Sequence, residues 1–245
     1  MRRSVLGPMP CVGWGAKSGG AAPAPYVGTK AASLDGVDEY LTGPSLTLNA
    51  NTGYAVSFWS KRNDAVGLEY VWSVRQSGAV VAYSWWTAAG VLFSAVPGAS
   101  GSCTAVTVGN WAQFLVVVDK NGSNVRIKVY RNGTLDVTSE GSTANESLTA
   151  TLNVGRLSTG VNFLNGSVCD LALWGAGMDG TDATNLYNGG TRGNPETLTG
   201  KTAARLWAFQ ATDNMTGTSG SIADLKGGTA LTPFNTESGD LVAGP

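Results

Sequence analysis

The sequence predicts an all-β protein in which antiparallel strands form a sandwich or a barrel. After residue 29, short runs of β-branched and aromatic residues are interrupted by Gly, Asn and Asp about every eight to twelve positions, a spacing typical of strands and turns. The 245 residues include 8 Trp, 7 Tyr and 6 Phe, which supply enough apolar area for one large core. A helical pattern is confined to residues 179–188, where Asp179 or Thr181 can cap the first turn.

The clearest strands form a predicted meander of three. In residues 124–131, Val125, Ile127 and Val129 share one face, and polar or aromatic side chains occupy the other. The following Asn-Gly dipeptide favours a hairpin turn, which pairs this strand with residues 134–139. Residues 111–118 are apolar on both faces, so we expect them to form a central strand.

Further strands are expected wherever β-branched and aromatic residues cluster between turn residues. These candidates lie at 33–41, 54–61, 69–75, 80–86, 91–96, 104–108, 151–154, 166–174 and 205–210. From residue 212 onward, the abundance of Gly, Ser and Thr predicts long loops around a last short strand.

Residues 1–30 differ from the rest of the chain and are predicted to form an extended arm. They carry four bases and no acid, whereas the other 215 residues carry 12 bases and 17 acids. The arm is rich in Gly and Pro and lacks a sustained period, so it cannot build a core of its own. We expect it to anchor the chain to other proteins. The predicted anchoring residues are Arg2, Arg3, Val5, Leu6, Met9 and Trp14.

Composition excludes several kinds of site. The chain has no histidine, which excludes Ser-His-Asp hydrolysis, Cys-His nucleophiles and histidine-ligated zinc. Cys11, Cys103 and Cys169 are far apart and odd in number, so free and mostly buried thiols are expected. A net charge of −1 and the lack of a long apolar run favour neither nucleic acid nor a membrane as partner, and no leader is expected.

Several segments resemble laminin-G-like jelly rolls of the concanavalin A-like lectin/glucanase superfamily, in the order that family requires. The segments are ASLDGVDEYL at 32–41, YAVSFWSK at 54–61, WAQF at 111–114, VYRNG at 129–133, LNVG at 152–155 and FLNGSVCDLALW at 163–174. The resemblance extends over residues 31–235 and leaves a tail at 236–245. It implies a two-sheet antiparallel jelly-roll sandwich carrying the extended N-terminal arm.

The glucanases of this superfamily use carboxylates that alternate along one strand as Glu-x-Asp-x-Glu. No glutamate of this chain is followed two positions later by an aspartate, so we expect a protein that is not an enzyme. Many laminin-G-like modules hold calcium, for which Asp35, Asp38, Asp119 and Asp170 are candidate ligands here. Turns and loop hydrogen bonds explain those four residues equally well, so the expectation is no cofactor.

Trp85 and Trp86, preceded by Tyr83, are the candidate contact residues for a glycan or a second subunit. Successive strand residues face opposite ways, so one tryptophan is expected in the core and the other outside or at an interface. An outward ring offers a face on which a sugar stacks. The alternative is that both rings are largely buried at an edge of the sandwich.

Two functions follow from the resemblance and the arm. The first is a structural protein of a multi-subunit particle, such as a capsid decoration, fibre or tail component of a bacteriophage virion. Such a protein is made in the host cytoplasm, is present in many copies or as a homo-oligomer, and contacts other virion proteins through its arm. The alternative is a glycan-binding, lectin-like module that is secreted or lies on a cell or virion surface. Measuring the mass of the protein in solution with and without the arm tests the structural role, and measuring glycan binding tests the lectin-like role.

Overall fold

The structure is a computed structural model that describes residues 28–76, 79–142 and 147–245. The arm residues Arg2, Arg3, Val5, Leu6, Met9 and Trp14 lie outside this part of the chain. The described residues form fifteen strands, namely β1 (Lys30–Asp35), β2 (Tyr40–Asn49), β3 (Tyr54–Arg62), β4 (Glu69–Gln76), β5 (Ala79–Trp86), β6 (Leu92–Val96), β7 (Ala99–Ser102), β8 (Ala112–Asn121), β9 (Asn124–Arg131), β10 (Thr134–Ser142), β11 (Ser147–Val154), β12 (Asn165–Trp174), β13 (Arg205–Trp207), β14 (Thr232–Phe234) and β15 (Leu241–Ala243). The helix α1 covers Gly180–Tyr187, and short 3-10 helices cover Asn188–Gly190, Pro195–Thr197, Gly217–Ser219 and Ser238–Asp240.

The strands form two antiparallel sheets. Sheet A has the order β10-β9-β8-β3-β12-β1-β15, and β13 also pairs with β12. Sheet B has the order β14-β2-β11-β4-β5-β6-β7. The predicted meander is β8-β9-β10, and β8 lies inside sheet A as its two apolar faces predict. The all-β sandwich predicted from the sequence is therefore confirmed.

The main core fills the space between the two sheets. Phe58 and Phe114 of sheet A meet Trp86 of sheet B, with ring centroids 5.5 Å apart for the two phenylalanines and 5.4 Å for Trp86 and Phe114. A second cluster lies on the outer face of sheet A, where Trp174 of β12 is buried together with Leu186 of α1. The central strands β3, β8 and β12 are therefore covered on both faces, which accounts for their nearly unbroken burial.

The helix at 179–188 forms as its sequence predicts. The Asp179 side chain accepts hydrogen bonds from the backbone N–H groups of Thr181 and Asp182, at 2.8 and 3.2 Å. The Asp182 carboxylate accepts one from the Asp179 N–H in return, at 2.9 Å, which completes a capping box. Asn188, with a φ of 47°, ends the helix in the left-handed region.

Three expectations about the strands need correction. The candidate strand 33–41 is two strands, because Gly36 has a φ of +79° and its position is too close to Asn165 for a side chain. Residues 104–108 form no strand, since the N–H and hydroxyl of Thr104 both bond to the Asp136 carboxylate. The expected tail at 236–245 contains β15, which pairs with β1.

The two sheets also touch where their edges meet. β7 is the last strand of sheet B and β10 the last of sheet A, and the two lie side by side. A Cβ atom added to Gly141 of β10 would lie 1.8 Å from the carbonyl oxygen of Gly98, beside β7. Only a residue without a side chain fits there, so the edges approach closely along this side.

Candidate functional site

Four aromatic rings from three neighbouring strands gather on the outer face of sheet B. Alternation along β5 buries Trp86 in the core and leaves Tyr83 and Trp85 half-buried on the outer face. The strand register places Tyr70 of β4 and Phe93 of β6 directly opposite Trp85. Tyr70, Tyr83, Trp85 and Phe93 are called the aromatic cluster below.

The rings of this cluster are in contact with one another. The ring centroids of Tyr83 and Trp85 are 5.0 Å apart with an interplanar angle of 21°, and those of Trp85 and Phe93 are 5.1 Å apart at 22°. Tyr70 meets Trp85 edge to face, with centroids 5.0 Å apart at 79°. None of the four side chains belongs to the two core clusters found among the described residues, but Tyr70 is buried, with 5% of its surface exposed. The surface of the cluster is therefore formed by Tyr83, Trp85 and Phe93.

Burial of the cluster perturbs its polar groups. It raises the pKa of Tyr70 to about 12, with a smaller contribution from the neighbouring Tyr83 hydroxyl. Burial also raises the pKa of Tyr83, so both phenols stay neutral donors at physiological pH. The Nε1–H of Trp85 is buried and has no hydrogen-bond partner within the part of the chain described here. An unpaired buried donor is uncommon in folded proteins.

A groove of about 440 Å³ borders the cluster where the edges of the two sheets meet. Tyr83 and Phe93 form its aromatic wall, and Ser100, Ser139 and Glu140 supply polar groups. The Glu140 carboxylate is exposed and accepts a hydrogen bond from Asn121 Nδ2 at 2.8 Å. Among the described residues lining the groove, Glu140 is the one carboxylate. The groove thus combines ring surface with hydrogen-bonding groups.

A larger cavity, of about 490 Å³, lies beside the C-terminal end of α1. Its lining is polar and includes Asn185, Asn188, Asn194 and Thr197. The lining residues include no aromatic ring, so this cavity offers hydrogen bonds without a stacking surface. It is a weaker candidate than the groove beside the aromatic cluster.

Of the three contact residues expected from the sequence, the structure places two at the surface and one in the core. Tyr83 and Trp85 lie together on the surface, whereas Trp86 is 1% exposed and donates its Nε1–H to Ser60 Oγ in the core. Trp86 is therefore not a surface contact. Tyr70 and Phe93 were not expected, because only the register between β4, β5 and β6 brings them to Trp85.

The candidate calcium ligands do not converge. Asp119 binds Arg126 through two hydrogen bonds of 2.8 and 2.9 Å, and Asp170 binds Arg192 in a buried ion pair. Asp35 accepts hydrogen bonds from backbone N–H groups of its own turn. Within the described ranges, no group of three or more Cys, His, Asp or Glu residues is arranged to hold a metal ion. In the same ranges, no helix has the length and apolar character needed to cross a membrane.

Comparison with known proteins agrees with this architecture. The sequence model of the family Laminin_G_3, described as the concanavalin A-like lectin/glucanases superfamily, matches residues 35–182. A Bacteroides ovatus protein described as a candidate carbohydrate binding protein is 13% identical with a TM-score of 0.62, covering 84% of this chain and 58% of its own. A heptameric SAP-like pentraxin from Limulus polyphemus is 15% identical with a TM-score of 0.54, covering 84% of this chain and 96% of its own. No curated protein matches the chain in sequence.

Proposed function

The chain belongs to the concanavalin A-like lectin/glucanases superfamily, and from this premise we propose that it is a carbohydrate-binding module without enzymatic activity. The proposed binding face is the aromatic cluster together with the groove beside it. The carbohydrate binding named in the description of the Bacteroides ovatus protein supports this proposal. That protein is longer, since the chain corresponds to 58% of it.

The observation that carries the proposal is the contact among half-buried rings outside the core. Tyr83, Trp85 and Phe93 have nearly parallel rings, with centroids 5.0 to 6.4 Å apart. The C–H face of a pyranose is apolar and packs against the face of an aromatic ring. These three rings lie outside the two core clusters, so part of their surface is left for an outside partner to pack against, which supports the proposal.

The polar groups of the groove suit a sugar as well. Ser100 and Ser139 offer hydroxyl groups, and the exposed Glu140 carboxylate accepts hydrogen bonds from sugar hydroxyls. Binding pockets commonly combine aromatic walls with a few such polar groups. Hydrolysis of a glycosidic bond normally needs two carboxyl groups on opposite sides of the bond. The described lining of this groove supplies one, which favours binding over cleavage.

The test compares glycan binding by the full-length protein, a Trp85→Ala variant and a Trp111→Ala control. Trp111 is a half-buried tryptophan immediately before β8 of the other sheet, with Lys61 Nζ 5.4 Å from its ring centre, so it controls for the loss of an indole. A glycan array identifies ligands, and titration calorimetry measures their affinity. We expect Trp85→Ala to weaken binding at least tenfold, about 1.4 kcal/mol, and Trp111→Ala to leave it within twofold.

Two outcomes would contradict the proposal. One is that the full-length protein binds no glycan on the array. The other is that the Trp111→Ala control loses as much affinity as Trp85→Ala while both variants keep their fold, as judged by far-UV circular dichroism. The second outcome would place the binding site elsewhere on the surface.

The role in a multi-subunit particle is a separate proposal that depends on residues 1–30. The heptameric state named for the Limulus pentraxin is compatible with many copies of this fold in one assembly. Light scattering on the full-length protein, beside a version lacking residues 1–28, tests it. Oligomers of the full chain and monomers of the shorter one support an arm that mediates assembly, whereas two monomers contradict it. A virion location stays a prediction.

A further inference from the structure

Exposed apolar side chains concentrate at one end of the sandwich. Six large hydrophobic residues are exposed among the described residues. Four of them lie in three loops at this end, namely Val37 at 69%, Val66 at 73%, Leu68 at 44% and Val161 at 49%. These loops join β1 to β2, β3 to β4 and β11 to β12. Apolar surface gathered in this way is typical of a contact site for another chain.

A pocket of about 280 Å³ lies among these loops, and its lining is acidic. No lysine or arginine is present among its described lining residues. The name acidic socket is used below for this pocket, whose main lining residues are Asp35, Asp64, Val66, Leu68, Glu69 and Phe163. The socket therefore combines negative charge with an apolar rim.

Glu69 gives the acidic socket an unsatisfied acceptor. The residue is 6% exposed, and its Oε2 atom has no hydrogen-bond partner within the described part of the chain. Burial raises the pKa of Glu69 to about 8; a hydrogen bond between the Glu69 and Asp64 carboxyl groups and the charge of Asp64 add to this rise, and the nearby Arg62 cation opposes it. A buried acceptor without a donor is destabilising, so an incoming cationic donor would be bound favourably.

Asp64 keeps its charge beside Glu69. Its carboxylate accepts hydrogen bonds from the Val66 N–H at 2.9 Å and from Asn165 Nδ2 at 2.5 Å. The bond from the Val66 backbone is the largest of the effects that lower the pKa of Asp64. The described carboxylates form no metal-binding group, so a guanidinium with several N–H donors suits this place better than a bare ion.

The matching charge lies in this chain's own sequence. Residues 1–27, which precede the described part, contain Arg2, Arg3 and Lys17 and no acid. The two arginines are followed by Val5 and Leu6, which gives a basic and apolar stretch of a few residues. An extended chain of 27 residues spans up to about 90 Å, whereas β1 covers only about 20 Å between Lys30 and Asp35. The segment is long enough to reach the socket.

We propose that the acidic socket binds the N-terminal segment of this chain, with residues 2–6 as the recognised stretch. The guanidinium groups of Arg2 and Arg3 bind the carboxyl groups of Asp35, Asp64 and Glu69. Val5 and Leu6 pack on the apolar rim formed by Val66 and Leu68. This contact is independent of the glycan face, which is formed by other residues.

The test uses a synthetic peptide of residues 1–20 with a fluorescein at its C-terminal end. The receptor is the full-length protein carrying Arg2→Ser and Arg3→Ser, so that its own segment does not compete. Fluorescence anisotropy should show saturable binding that weakens with salt, because the contact is charge-assisted. An Asp64→Asn receptor is expected to bind at least tenfold more weakly. A Glu196→Gln receptor, which loses an exposed carboxylate outside the socket, should bind within twofold of the starting receptor.

Two further variants keep the test decisive. Val66→Ser removes a 73% exposed rim residue that the fold does not need, so it reports on the socket even when Asp64→Asn folds poorly. Leu135→Ser removes a 49% exposed residue of β10 and is its matched control. We expect the first to weaken peptide binding at least threefold and the second to leave it unchanged. The proposal fails when the peptide shows no saturable binding, or when a peptide with Arg2→Ser and Arg3→Ser binds equally well.

Discussion

Replacing Trp86 by alanine is expected to destabilise the sandwich far more than the same change at its neighbour Trp85. Trp86 is 1% exposed and packs edge to face on Phe114 with centroids 5.4 Å apart. Truncating a buried tryptophan costs about 3–5 kcal/mol. The hydrogen bond to the buried Ser60 hydroxyl, 3.1 Å long, is lost as well and adds about 1 kcal/mol. The free energy of unfolding should therefore fall by about 4–6 kcal/mol.

Urea denaturation followed by far-UV circular dichroism measures this loss. In a thermal melt of a chain of this length, each 1 kcal/mol of lost stability lowers Tm by about 2–4 °C, so we expect Tm to fall by about 10–20 °C. Trp85→Ala should cost only about 1–2 kcal/mol, because that side chain is only partly buried in the folded protein. The assignment of Trp86 to the core is refuted when Trp86→Ala costs less than about 2 kcal/mol, or when both variants lose the same stability.

Three further predictions concern buried polar groups. Asp170→Ala removes the carboxylate that pairs with Arg192, whose side chain is 5% exposed, and should cost about 3–5 kcal/mol in urea denaturation; a loss below about 1 kcal/mol would contradict a buried pair. The pKa of Glu69 is raised to about 8 in the folded protein, so folding favours the protonated carboxyl group. This contribution to stability is present at acidic pH and is lost as the pH rises through about 8. Glu69→Gln should therefore match the parent at pH 5 and exceed its stability at pH 8.5, and equal pH slopes would argue against the shift. Cys103 and Cys169 are buried with raised pKa values, so a Cys11→Ser variant should react with a thiol reagent only after unfolding; rapid labelling of the native protein would show that these thiols are accessible.

The sequence predicts the strands of this fold better than it predicts their partners. Alternation in residues 124–131 defines β9 because every second side chain is buried, and that information is local. The strand β7 was missed, since Ala99–Ser102 has small residues without β propensity and is held by pairing with β6. The break at Gly36 was missed because its need for a positive φ depends on Asn165, which is remote in the chain.

The candidate site shows the same limit. Alternation along β5 predicts that Trp85 and Trp86 face opposite ways, but not which of them faces the core. Tyr70 joins the cluster through a bulge in the β4–β5 pairing between Tyr70 and Trp72, which sets the register beyond it. No local sequence signal specifies that register. The acidic socket likewise depends on three loops that only the completed sandwich brings together.

The close contact between β7 and β10 has a consequence for the behaviour of the protein in concentrated solution. An exposed sheet edge is a template on which strands of other molecules can add, and this is a common route to aggregation. Here two edges cover each other, while the opposite edges, β14 and β15, are three residues long, and β14 contains Pro233. Few backbone groups are thus left for a foreign strand. Because Gly141 has no side chain, the two edges can approach each other closely, which limits edge-to-edge association between separate molecules.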